Sequence, residues 1–149
     1  MKNPGNIAVS EIRNWLENKG YICRHIFVVD VVCIYISSKL SQNDCDEFKN
    51  EFDAEIHLKG ASFDAFGQNN EFEYYCDHRL LAEFRAYLHD WLNQNNFPVN
   101  HSMVTSDISI DVHEELSHSQ IQDFEDEFEV KFLNYSLTCN SDKINYKFS

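Results

Sequence analysis

The sequence predicts an α+β fold: an internal duplication of an α-β-β-α-β-β unit, with helices packed on largely antiparallel sheet. Three observations carry this. The chain matches itself at an offset of 76 residues, each copy alternates helix-period and strand-rich stretches, and a serine N-cap signal recurs at the same place in both. At that offset Trp15-Leu16 meets Trp91-Leu92, His25 meets His101, Val28 meets Val104 and Ile34 meets Ile110. Leu40-Ser41 falls on Leu116-Ser117, Phe48 on Phe124, Glu51-Phe52 on Glu127-Phe128, Asn69 on Asn145 and Phe72 on Phe148. These are 12 identities in 73 aligned pairs, about 16% against about 6–7% for random pairing at this composition. The expected units are residues 1–76 and 77–149, two similar lobes packed together.

The first helix is expected from about Ile7 to Lys19, where Ala8, Ile12, Trp15 and Leu16 share one face and Gly20 supplies a C-terminal stop. Its counterpart runs from about His78 to Gln94 on Leu80, Leu81, Phe84, Leu88, Trp91 and Leu92. Strand-rich stretches follow, Tyr21–Ser37 and Phe97–His113, each long enough for a hairpin turning near Asp30 and near Ser106-Asp107. Ser41 and Ser117 are N-caps for second helices, and Ser117-x-x-Gln120 has the capping-box spacing. Those helices bury Cys45, Phe48 and Phe52 in one copy and Ile121, Phe124 and Phe128 in the other. Two strands close each copy, about Ala54–Leu58 and Glu71–Cys76, then Val130–Leu137 and Lys143–Phe148. Turn chemistry at Gly67-Gln68-Asn69-Asn70 and at Asn140-Ser141-Asp142 separates them.

Composition excludes several classes. The 149 residues are 43% hydrophobic and 14% aromatic, enough for a real core and against disorder. No apolar run reaches the roughly 18–20 residues of a membrane span, and Met1 to Asn6 has no apolar secretory stretch. A formal net charge of −13 opposes direct binding to nucleic acid or anionic lipid. The five cysteines are odd in number, irregularly spaced and without a C-x-x-C, as free thiols in a reducing, cytoplasmic setting would be.

No motif supplies chemistry. Phosphate-cradling glycine loops and a nucleophile elbow are both missing from the sequence. Under the duplication Cys23, Cys33, Cys45 and Cys139 meet Val99, Ser109, Ile121 and Phe63, the exchange that buried filler shows; Cys76 has no counterpart. His25 and His101 coincide, and Asp111, His113 and His118 lie close together, but no metal-ligand spacing is present. No catalytic residue, metal ligand or cofactor is therefore assigned. Tyr74-Tyr75 and the Phe63/Phe66 pair are the aromatics least easily placed in a core.

Charge is the strongest signal. Residues 1–76 carry 7 bases and 12 acids, and residues 77–149 carry 5 bases and 13 acids. Between Arg85 and Lys131 there are 45 residues without a Lys or Arg. That gap contains Asp90 and the nine acids expected to contact a partner: Asp107, Asp111, Glu114, Glu115, Asp123, Glu125, Asp126, Glu127 and Glu129. The equivalent stretch of the first copy keeps Arg13, Lys19, Arg24, Lys39 and Lys49. Unneutralised like charge destabilises a fold, and a basic partner gives it a use. The expectation is a non-enzymatic inhibitor or immunity-type protein that binds a basic protein, a toxin or a nucleic-acid-binding enzyme, with its acids standing in for phosphates. Toxin-immunity proteins and phage anti-defence inhibitors, anti-CRISPR proteins among them, share this size and acidity. The competing expectation is a small-ligand or metal-binding module using the groove between the two repeats.

Overall fold

The computed structural model describes residues 1–67, 70–137 and 142–149. Twelve elements run in order: α1 (Gly5–Asn18), β1 (Cys23–Val29), β2 (Val31–Ile36), α2 (Gln42–Phe52), β3 (Ile56–Ser62), β4 (Glu71–Cys76), α3 (Arg79–Gln94), β5 (Val99–Val104), β6 (Ile108–Val112), α4 (His118–Phe128), β7 (Phe132–Leu137) and β8 (Ile144–Phe148). This is the duplicated α-β-β-α-β-β string, in two four-stranded antiparallel sheets ordered β1-β2-β4-β3 and β5-β6-β8-β7. Each unit has the elements of the split β-α-β fold with its first strand moved to the end. The two compact units are Gly5–Ala82, and Met1–Pro4 with Glu83–Ser149. The first residues belong to the second unit, where the Asn3 side-chain amide donates to the Thr105 carbonyl at 2.9 Å. Among the described residues no helix is long and apolar enough to cross a membrane.

The elements form where local chemistry directs them. Ser41 and Ser117 are the N-caps of α2 and α4, accepting from the Asp44 and Gln120 amides, and Gln120 completes the capping box. Both long helices end in the same six-to-one closure: the Tyr21 amide donates to the Leu16 carbonyl and the Phe97 amide to the Leu92 carbonyl, each at 3.0 Å. The turn needs a left-handed residue, Gly20 (φ 90) in one copy and Asn96 (φ 58) in the other. The β1–β2 hairpin turns at Asp30, also left-handed (φ 60), as its position predicts. The turn sequences at 68–69 and 138–141, together with Cys139 and Asn69, lie outside the described residues.

The core of each unit lies between its helices and one sheet face. In the first unit Ile12, Leu16 and Phe48 meet Val28, Val32, Ile34 and Ile36. In the second Leu88, Leu92 and Phe124 meet Val104, Ile108, Ile110 and Val112, the same positions 76 residues on. The last strand breaks that offset. Val32 pairs with Cys76 and Ile34 with Tyr74, while Ile108 pairs with Phe148 and Ile110 with Tyr146. The equivalent residues there are 72 apart because the β3–β4 hairpin, strands and connection together, is four residues longer than the β7–β8 hairpin, so matching Phe72 to Phe148 is corrected: Cys76 is the counterpart of Phe148. The new register reveals a repeated tyrosine. Tyr74 and Tyr146 are buried, and their hydroxyls accept the Leu40 and Leu116 amides at 2.9 and 3.1 Å. Each fastens the loop that leads into the second helix of its unit.

Helices cover only one face of each sheet, and the two opposite faces differ. On the first unit's sheet the outer face carries Phe27, Val29, Cys33, Tyr35 and Tyr75. At the equivalent places the second unit has Met103, Thr105, Ser109, Asp111 and Lys147, and the Asn145 side-chain amide donates to Ser109 Oγ and Asp111 Oδ1, both at 2.7 Å.

Candidate functional site

The nine acids do not form one patch. Asp111 is on the outer face of its sheet, accepting from Asn145, on the side away from α4. Asp107 is a turn residue: its carbonyl accepts the Thr105 amide at 2.8 Å and its amide donates to Thr105 Oγ1 at 3.0 Å. Glu114 and Glu115 are exposed in the β6–α4 connection. Asp123, Glu125, Asp126 and Glu127 are on α4, and Glu129 is its left-handed C-cap, donating its amide to the Glu125 carbonyl.

Two of the α4 acids have structural work. Glu125 Oε2 accepts the Phe132 amide at 3.0 Å, tying the end of α4 to the start of β7. The Tyr87 hydroxyl donates to Glu127, which pushes the tyrosine's pKa up. Both are half-buried, whereas Glu114, Glu115, Asp123, Asp126 and Glu129 are exposed. Asp126 accepts from the Gln122 amide one turn back, and Glu129 lies 3.9 Å from the Met1 amino group. Of the nine acids, the exposed ones are therefore Glu114, Glu115, Asp123, Asp126 and Glu129.

Its placement opposes helix electrostatics. The C-terminal end of a helix carries partial negative charge, and acids there are disfavoured. α4 has no acid in its first turn and no base in its last, and its acids crowd the second half. α2 has the favourable arrangement, with Asp44 in its first turn and Lys49 in its last. The two helices share a serine N-cap, a left-handed C-cap and apolar spacing, and where α2 has Lys49, which pairs with Glu55 at 3.1 Å, α4 has Glu125.

Four thiols and the imidazoles lie among the described residues. Burial raises the pKa of Cys23, Cys33 and Cys45, and that of Cys76 to about 12, so these four are thiols at neutral pH. His25 and His101, the repeated pair, are exposed and each follows a register shift in its edge strand. His113 bonds to Asn100 across the β5–β6 hairpin, and His118 opens α4. Among the described residues no three His, Cys, Asp or Glu side chains are grouped to hold a metal.

Of the unassigned aromatics, Tyr74 is core and Tyr75 is on the outer sheet face; Phe63 and Phe66 are exposed in the β3–β4 connection, Phe63 edge-on to Phe72 at 5.9 Å. Sequence reasoning missed Phe27 and Tyr35, whose rings stack at 5.8 Å on the outer face. The signal was present: the duplication sets these two against Met103 and Asp111. Compared with protein-family models, curated proteins and solved structures, the chain matches none.

Proposed function

We propose that this chain is a non-enzymatic acidic binding protein whose second unit engages a basic protein surface, in the manner of an inhibitor or immunity-type protein. The observation that carries the reading is the crowding of acids on the second half of α4, against the helix dipole and with no base of the helix's own in the last turn, where the Met1 amino group donates to the Glu127 carbonyl. The first unit's equivalent helix also ends in acids, Glu51 and the C-cap Asp53, but it carries Lys49 among them and Asp44 in its first turn. Exposed carboxylates on a rigid helix and its preceding loop present negative charge at fixed spacing. That arrangement suits a surface that otherwise holds phosphates, and a toxin or a nucleic-acid-binding enzyme is the kind of partner with such a surface.

The test is capture of partners on the immobilised protein at low and high salt, with wild type beside Glu114→Gln/Glu115→Gln/Asp123→Asn/Asp126→Asn. These four side chains are exposed, so the variant keeps the Glu125 and Glu127 contacts. The expected result is a basic protein held by wild type, released at high salt and missing from the variant. Equal capture by both proteins would refute the reading.

A further inference from the structure

We infer that a second copy of this chain docks on the outer face of the first unit's sheet, giving a two-fold dimer by sheet-on-sheet packing. The duplication supplies an internal control. Both units have the same core and strand order, yet only the first covers its outer face with apolar rings. Phe27 and Val29 are each 43% exposed and Tyr75 38%, around a shallow depression of about 400 Å3 with Cys33 and Tyr35 in its floor. The second unit folds with Ser109, Asp111 and Lys147 in the corresponding places, so folding does not require this apolar surface.

Charge selects the occupant. Lys59 and Glu73 lie among the rings, their charged atoms 3.3 Å apart, and the Tyr35 hydroxyl donates to Glu73 at 2.8 Å. Their charges cancel. With Glu71 beside them the face keeps about one surplus acid, so on a chain of net charge −13 two copies meet less repulsion here than elsewhere. A nucleic acid meets no surplus cation there, and a basic partner is better served by the second unit. A two-fold contact lets Lys59 of each copy face Glu73 of the other, the reciprocity that isologous interfaces demand. Size fits a reversible association. Four strands about 4.8 Å apart with two or three outward residues each make a face of about 15 by 20 Å. A face-to-face pair of that size hides about 600 Å2 before side-chain relief, in the range of weak, transient contacts.

Sedimentation of the full chain from about 1 to about 100 μM is the test. The expected result is a mass rising from 17.6 kDa toward twice that value. Phe27→Asp/Tyr75→Asp weakens association at least tenfold with an unchanged circular dichroism spectrum, and Met103→Asp in the second unit leaves it unaltered. As an independent readout, a short bis-maleimide joins two copies through Cys33, identified as a Cys33–Cys33 peptide by mass spectrometry. A chain monomeric throughout, a dimer that survives the double substitution, or a monomer that retains a small molecule on this face would each overturn the inference.

Discussion

Tyr74 and Tyr146 each close a loop with one hydrogen bond from a buried hydroxyl. Removing the hydroxyl leaves the amide of Leu40 or Leu116 unpaired in the interior, which costs about 1–3 kcal/mol. Tyr74→Phe and Tyr146→Phe are therefore each expected to lower the urea midpoint with an unchanged slope. His78 makes a different prediction. It is 4% exposed and caps α3, its Nδ1 accepting the Leu80 amide at 3.2 Å. That bond requires the neutral ring with its proton on Nε2, 3.6 Å from Glu11, and Phe52 packs against the ring. Burial depresses the His78 pKa, Arg79 adds to this, and the Glu11 carboxylate opposes it. The unfolded chain then binds the extra proton first, so this contribution to stability is complete above about pH 6.5 and is lost as pH falls below it. His78→Asn keeps an N-cap acceptor and is expected to flatten the wild-type loss between about pH 6.5 and 5 in denaturant titrations. Neither role was legible in the sequence. The gapless offset hid the tyrosine repeat behind a change of hairpin length, and a histidine at a helix start reads equally as first residue or cap.

Elements were more legible than residues. Ser41 and Ser117 marked their helices because a hydroxyl before an apolar i, i+3, i+7 pattern satisfies amides the helix cannot. The first hairpin was read because Val, Ile, Tyr and Phe dominate it around Asp30, and the second because Phe97–His113 matches it 76 residues on. Which strand face is covered was not readable for the first unit. β1 and β2 are apolar on both faces, so strict alternation fails and the run resembles a fully buried strand. For α4 the structure divides the acids by exposure, which a helix pattern alone does only roughly. Asp123→Asn/Asp126→Asn relieves repulsion near the negative end of α4, worth about 0.3–1 kcal/mol for the residue nearest that end. The variant is expected to melt higher than wild type while binding partner less well. A variant that loses both stability and binding would show that these carboxylates serve the fold.

For the whole molecule, one duplicated architecture carries two divided surfaces. The repeat is clear at core positions because volume and apolarity are constrained there, and it fades at surfaces, which diverged. The first unit retains bases among its acids and keeps an apolar outer sheet; the second has no Lys or Arg between Arg85 and Lys131 and a polar outer sheet held by Asn145. The distribution of charge was therefore legible from composition by halves. The dispersal of Asp107 and Asp111 away from α4 was not, since strand pairing decides which face a residue occupies. If the first unit pairs copies, each assembly presents two acidic units, and a partner with two basic sites gains avidity without new contacts.

The decisive measurement compares matched charge removal in the two units. Glu114→Gln/Glu115→Gln/Asp123→Asn/Asp126→Asn neutralises the second unit. Glu17→Gln/Asp46→Asn/Glu51→Gln/Asp53→Asn removes the same number of exposed acids from the first. Partner affinity is then measured for both against wild type at one ionic strength. The account predicts at least a tenfold loss for the second-unit variant and less than a twofold change for the first-unit variant. Equal losses would mean that net charge alone drives association, and loss confined to the first-unit variant would place the binding surface in the wrong unit.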